Sequence, residues 1–139
     1  MTARKDSDTL VLPNSLMGRL CAACSDEWSD YTGHAFVRGL GDGTLPEPAF
    51  RYYLAQDYLF LIHFARAYGL AVYKSNTLTD MRDAAAAITG ILEVEMALHV
   101  KYCADWGLSE AAMAAVPEDP ACMAYTRFVL ECGLAGDSL

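Results

Sequence analysis

Between residues 48 and 74 the apolar side chains recur at helical spacing. Phe50, Tyr53, Leu54, Phe60, Leu61, Phe64 and Tyr68 follow an i, i+3, i+4, i+7 pattern. One long helix is predicted, with Pro48 in its first turn and Ser75-Asn76 as its stop. Upstream, Leu16, Leu20, Cys24 and Trp28 fall on one side of a first helix, capped by Asn14 or Ser15 and ended by Gly33 after about Tyr31. Gly39, Gly41 and Gly43 then predict a turn-rich loop over 39–47, where the backbone can approach a neighbour closely. Ile88, Ile91, Leu98 and Tyr102 predict a third helix from Thr79 to Trp106, with Asp83 in its first turn and Gly107 as its C-terminal stop. A short helix is expected over 109–115. Asp119 caps a last helix with Pro120 at its first position and Gly133 at its end. Asp137-Ser138 before Leu139 is how another helix would begin, so the chain is expected to be the first part of a longer bundle. Residues 1–13 are expected to be a loose tail, and 14–139 a single helical domain.

Composition sharpens this to an all-α expectation. Alanine occurs 22 times, against 10 valines and isoleucines combined. At 139 residues the chain has room for one domain with a true core. Counting glycine and leaving out tyrosine, the apolar share is about 55%, above the usual 45–50%. A membrane span does not account for the excess. The longest apolar stretch, Tyr58 to Tyr73, is interrupted by His63 and Arg66. Arg4, Lys5, Asp6 and Asp8 precede only Leu10-Val11-Leu12, too short for a signal sequence. The expectation is a cytoplasmic protein with reduced thiols. Its net charge of −8 is spread along the chain and no basic run occurs, so neither nucleic acid nor membrane is expected as a partner.

Two polar residues interrupt apolar stripes. Asp57 sits amid the aromatic and leucine positions of the long helix, where a carboxylate is costly unless paired. It is either a pocket acid or a buried aspartate satisfied by an arginine or a helix terminus. Glu95 interrupts the third helix's stripe, four residues before His99, and the two side chains can meet on one face. They would form a metal half-site, an acid/base pair or a structural hydrogen bond, although the Glu-x-x-His spacing of di-iron bundles is missed by one residue. Cys21-x-x-Cys24 lies inside a helix without a second pair, which points to two core thiols rather than zinc or a thioredoxin motif. Cys103, Cys122 and Cys132 are expected to be core or surface thiols; Cys103 alone has a histidine, His99, one turn away. His63 lies about 240° around the long helix from Asp57, as a surface or inter-helix residue. Tyr125 belongs to an aromatic stripe of the last helix and gains interest only beside a pocket.

Four segments carry a family resemblance. They are His34-Ala-Phe-Val-Arg-Gly-Leu-Gly-Asp-Gly-Thr-Leu-Pro46, the helix Arg51–Phe64 around Gln56-Asp57-Tyr58, Glu93-Val-Glu-Met-Ala-Leu-His99, and Pro120-Ala-Cys-Met-Ala-Tyr-Thr126. In this order they resemble the TenA (thiaminase II) family. The resemblance implies a haem-oxygenase-like helical bundle, here its N-terminal part, forming a homo-oligomer and using no cofactor and no metal. It implies hydrolysis of 4-amino-5-aminomethyl-2-methylpyrimidine to the hydroxymethyl pyrimidine in thiamin salvage. Asp57 matches the family aspartate that binds the aminopyrimidine edge, and Tyr125 a tyrosine lining the pyrimidine pocket. Phe60 stands where the family often has a tyrosine whose hydroxyl assists the nucleophile; it keeps the ring and lacks the hydroxyl. The family's cysteine nucleophile and acidic glutamate are expected past residue 139, and Cys122 and Cys132 do not match the nucleophile. Other readings are a pyrroloquinoline-quinone synthase-like oxidase of the same fold, a non-catalytic pyrimidine-binding or regulatory protein, and a haem or metal bundle using His99 with Glu95.

Overall fold

The computed structural model describes residues 11–136, and all of the regular structure among them is helical. The segment 1–10 of the expected tail and the helix start expected at Asp137-Ser138 lie outside the described residues. The chain divides into two compact units, 1–46 and 47–139.

The first unit holds α1 (Leu16–Ala23), α2 (Ser25–Thr32) and α3 (Ala35–Asp42). Ser15 caps α1 by accepting from the Gly18 amide. The single helix expected up to Tyr31 is broken at Cys24, whose φ of −129° and ψ of 49° leave helical space. Ser25, Asp26 and Glu27 come next, small polar and acidic residues that suit the start of a new helix. The expected stripe is not a core: Leu16 and Leu20 are 63% and 53% exposed. The loop expected over 39–47 starts later, because α3 continues through Gly39 and Gly41 and stops at Gly43, which takes the left-handed φ of 77°. A Cβ on Gly39 would lie 3.3 Å from the Leu45 amide nitrogen, so the close approach inferred from the glycines is made to the returning chain itself.

The second unit is built around α4 (Glu47–Lys74), a helix of 28 residues. It packs against α5 (Leu78–Thr89), α6 (Met96–Asp105), α7 (Glu110–Ala114) and α8 (Pro120–Ala135). Its core gathers Leu54, Tyr58, Cys103 and Met113, surrounded by Phe50, Leu59, Ile62, Met96, Val100, Trp106 and Leu108. Cys103 and Met113 are fully buried. Thr77 rather than Thr79 starts α5, with its hydroxyl accepting from the Asp80 amide, so Asp80 replaces Asp83 as the first-turn acid. Between α5 and α6 the helix widens into a π turn, Gly90–Glu95. That turn inserts one residue and so rotates α6 about its axis relative to α5. Ile91, His99 and Cys103 are buried, while Leu98 and Tyr102 of the expected stripe are about half exposed. Gly133 does not end α8. It sits inside the helix, where a Cβ would come within 3.0 Å of Leu70 on α4, and the stop falls at Gly136.

Buried Gln56 fastens the start of α8 to α4. Its Nε2 donates to the Pro117 carbonyl at 3.0 Å, and its Oε1 accepts from the Asp119 amide at 2.8 Å. Tyr52, one turn earlier, donates to the Asp119 carboxylate at 2.5 Å. Gln56→Leu keeps most of the volume and orphans both backbone groups. The expected cost is about 2–3 kcal/mol, measured as a lower midpoint of urea unfolding with an unchanged slope.

Candidate functional site

Asp57 lies next to Gln56 on α4, and its partner is neither an arginine nor a helix terminus. Oδ2 of Asp57 is 2.8 Å from Nε2 of His99 on α6, and the two side chains are 19% and 11% exposed. The other ring nitrogen, Nδ1, is 2.8 Å from the backbone carbonyl of Glu95. A carbonyl and a carboxylate both accept, so satisfying both contacts requires an N–H on each nitrogen of His99. Protonated His99 meets both contacts at once, and the pair is then a short ion pair. The Asp57 hydrogen bond is the largest cause raising the His99 pKa above 6.5; burial opposes it. Oδ1 of Asp57 accepts no hydrogen bond among the described residues.

Glu95 and His99 do meet, but through the Glu95 backbone. Its carboxylate is exposed at the end of the π turn. With both nitrogens of His99 engaged, the metal half-site is not formed. Among the described residues no group of three or more histidine, cysteine or acidic side chains is placed to hold a metal ion.

Phe60 stands one turn beyond Asp57 on α4. Its ring stacks on Tyr125 of α8, with centroids 5.8 Å apart and planes tilted by 26°. Phe64 continues the stack at 5.1 Å from Phe60, and Tyr68 meets Phe64 edge-on. Tyr125 is 55% exposed, so the ladder is covered on its α4 side and open on the other. Along α4 the Asp57–His99 pair is thus followed one turn later by the Phe60–Tyr125 stack, and these are the two halves of the candidate patch.

The thiols near this patch are not activated. Cys103 is fully buried, and burial pushes its thiol pKa up. Cys122 is half-buried; burial and then the neighbouring Glu118 carboxylate push it up as well. Cys132 is exposed. The expected core placement of Cys21 and Cys24 does not hold either, since Cys21 is half-buried and Cys24 exposed.

His63 is an inter-helix residue, as its angular position predicts. Nδ1 lies 3.0 Å from an Arg66 guanidinium nitrogen and Nε2 3.0 Å from one of Arg127 on α8. Burial first, and then the Arg127 charge, hold its pKa below 6.5. Glu118 draws this corner together, accepting from Arg127 at 2.8 Å and from Thr126 at 3.3 Å. Sequence patterning singles out Asp57 and His99 separately and misses their pairing, because it exposes only partners within one helix.

The family model described as TENA/THI-4/PQQC matches residues 22–139, and the chain belongs to that family. Among its relatives, an aminopyrimidine aminohydrolase of Halalkalibacterium halodurans is 35% identical over 112 residues, covering 81% of this chain and 50% of that protein. One of Bacillus subtilis is 36% identical over 117 residues, 84% of this chain and 49% of that protein. A crystal structure of a TenA family transcription regulator from Silicibacter sp. TM1040 superimposes with a TM-score of 0.85 at 46% identity, covering 88% of this chain and 55% of that one. The chain spans about half the length of the curated aminopyrimidine aminohydrolases it matches. Among the described residues, no helix is long and apolar enough to cross a membrane.

The ion pair sets a pH dependence with a definite sign. His99 has its pKa raised on folding, so its contribution to stability is complete below about 6.5 and is lost as pH rises through the folded-state value. A histidine-resolved NMR titration should place the His99 midpoint above 6.5 in the wild type. Asp57→Asn should lower that midpoint and abolish the associated loss of stability on the alkaline side.

Proposed function

We propose that this chain binds the amino-substituted edge of a 4-aminopyrimidine, specifically 4-amino-5-aminomethyl-2-methylpyrimidine. In this reading it supplies the substrate-recognition part of an aminopyrimidine aminohydrolase of thiamin salvage. The observation that carries the reading is the Asp57 carboxylate, held by His99 with Oδ1 left over, one helical turn from the Phe60–Tyr125 stack. An exocyclic amine offers N–H donors, and Oδ1 accepts one of them. His99 fixes the orientation of Asp57, so the acceptor is in place before ligand arrives. The ring then needs an aromatic face. Admitting a planar ring between Phe60 and Tyr125 requires a centroid spacing of about 7 Å, twice a van der Waals carbon separation. The present spacing is 5.8 Å, so the exposed Tyr125 ring gives way.

The relatives named aminopyrimidine aminohydrolase support this substrate class. The reading assigns catalysis to a cysteine and a glutamate outside the described residues, because the thiols beside the site are held protonated. A cofactor-free cytoplasmic homo-oligomer is part of the same proposal.

Calorimetric titration of 4-amino-5-aminomethyl-2-methylpyrimidine into this chain tests it. Saturable binding is expected, weakened about 10- to 100-fold in Asp57→Asn, which loses one charge-assisted hydrogen bond. Tyr125→Ala should weaken binding while leaving the His99 titration in place. Absence of binding by the wild type, or equal binding by Asp57→Asn, would overturn the proposal.

A further inference from the structure

Cys21 and Cys24 are not used by the site above, and neither is buried in a core. They stand one turn apart at the junction of α1 and α2. Cys21 lies in α1 and lines a cavity of about 480 Å³ together with Val11, Pro13, Gly18, Ala22, Trp28 and Thr32. Cys24 is the residue at which the helix breaks. The Leu20 carbonyl accepts both from its amide at 3.1 Å and from its thiol at 3.0 Å. The Cys24 side chain therefore turns back along α1, the element that carries Cys21.

We propose that Cys21 and Cys24 form a reversible dithiol–disulfide site whose reaction partner is a small aliphatic disulfide. In an intact helix, side chains at i and i+3 have Cβ atoms about 5–6 Å apart, whereas a disulfide needs about 3.5–4.5 Å. Continuous helix on both sides would resist that closure. Here Cys24 already has φ −129° and ψ 49°, so only the last turn of α1 has to give. The thiolate of exposed Cys24 attacks the small disulfide, forming a mixed disulfide and releasing one small thiol. The Cys21 thiolate then attacks the Cys24 sulfur, forms the Cys21–Cys24 bond and expels the second small thiol. Two protein thiols are oxidised and one disulfide is reduced to two thiols, so electrons and protons balance. Excess small thiol runs the same steps backwards.

Cys103 is buried, whereas Cys132 is exposed and serves as an internal comparison for thiol modification. Incubation of the whole chain with cystamine, followed by tryptic mass spectrometry, tests the assignment. Cleavage after Arg19 and Arg38 releases a single peptide, Leu20–Arg38, that contains both thiols and no other cysteine. The wild type should lose two hydrogens on this peptide and recover them with dithiothreitol. Cys21→Ser should instead stop at a cysteamine mixed disulfide on Cys24. A wild-type adduct that persists on Cys24, or a Leu20–Arg38 peptide left reduced while exposed Cys132 is modified, would overturn the proposal.

Discussion

The arrangement of the second unit depends on one buried amide. Gln56 is 8% exposed, and both ends of its side chain are spent on the backbone just before α8. Pro117 and Pro120 leave that connection few amides of its own, so an outside donor and acceptor have to satisfy it. Asp119 then has its carboxylate free to cap α8 through the Ala121 amide and to accept from Tyr52. These bonds fix where α8 starts. That start in turn sets the position of Tyr125, five residues into the helix. Gly133 lets the far end of the same helix close on Leu70, and Lys74 donates to the carbonyls of Leu134 and Gly136. The stack of Tyr125 on Phe60 is thus held at both ends of α8 by residues that do not touch it.

The other half of the patch depends on a local irregularity. Without the π turn, positions 88, 91, 95, 98 and 102 would share one face. One added residue moves the buried register on by one, so His99 and Cys103 are buried where Leu98 and Tyr102 would have been. Glu95 keeps a role through its carbonyl, which lies 2.8 Å from Nδ1 of His99 and so orients the ring with Nε2 toward Asp57. Backbone geometry, rather than a choice of side chain at 95, decides which group meets the carboxylate.

The same irregularity bounds what is legible in the sequence. Caps and stops are visible where their chemistry is local: Ser15, Asp119 with Pro120, and Gly107 all act within four residues of themselves. The long apolar stripe of α4 reveals both its extent and the anomaly at Asp57. The partner of Asp57 is not legible, because His99 is 42 residues away and is aimed by a π turn that a 3.6-residue period cannot represent. Glycine carries two meanings that spacing does not separate. Gly43 and Gly107 stop helices at positive φ, while Gly39 and Gly133 sit inside helices to admit a neighbour. The break at Cys24 leaves no signal in the hydrophobic pattern either, since Trp28 continues the stripe in phase.

A carboxylate–imidazolium pair is not what packing alone would select at these positions. Two apolar side chains of similar volume between α4 and α6 would avoid the desolvation of two charges, and such replacements are often neutral or stabilising. Asp57 and His99 lie on the same two helices that supply Leu54, Tyr58 and Cys103 to the core, where an apolar pair would extend it. The pair also leaves the second carboxylate oxygen of Asp57 without a hydrogen bond among the described residues, open to solvent or a ligand. A neutral asparagine at 57 would offer one weaker acceptor and a competing donor. The combination is costly for a fold and well matched to a ligand that brings an amine on a flat ring.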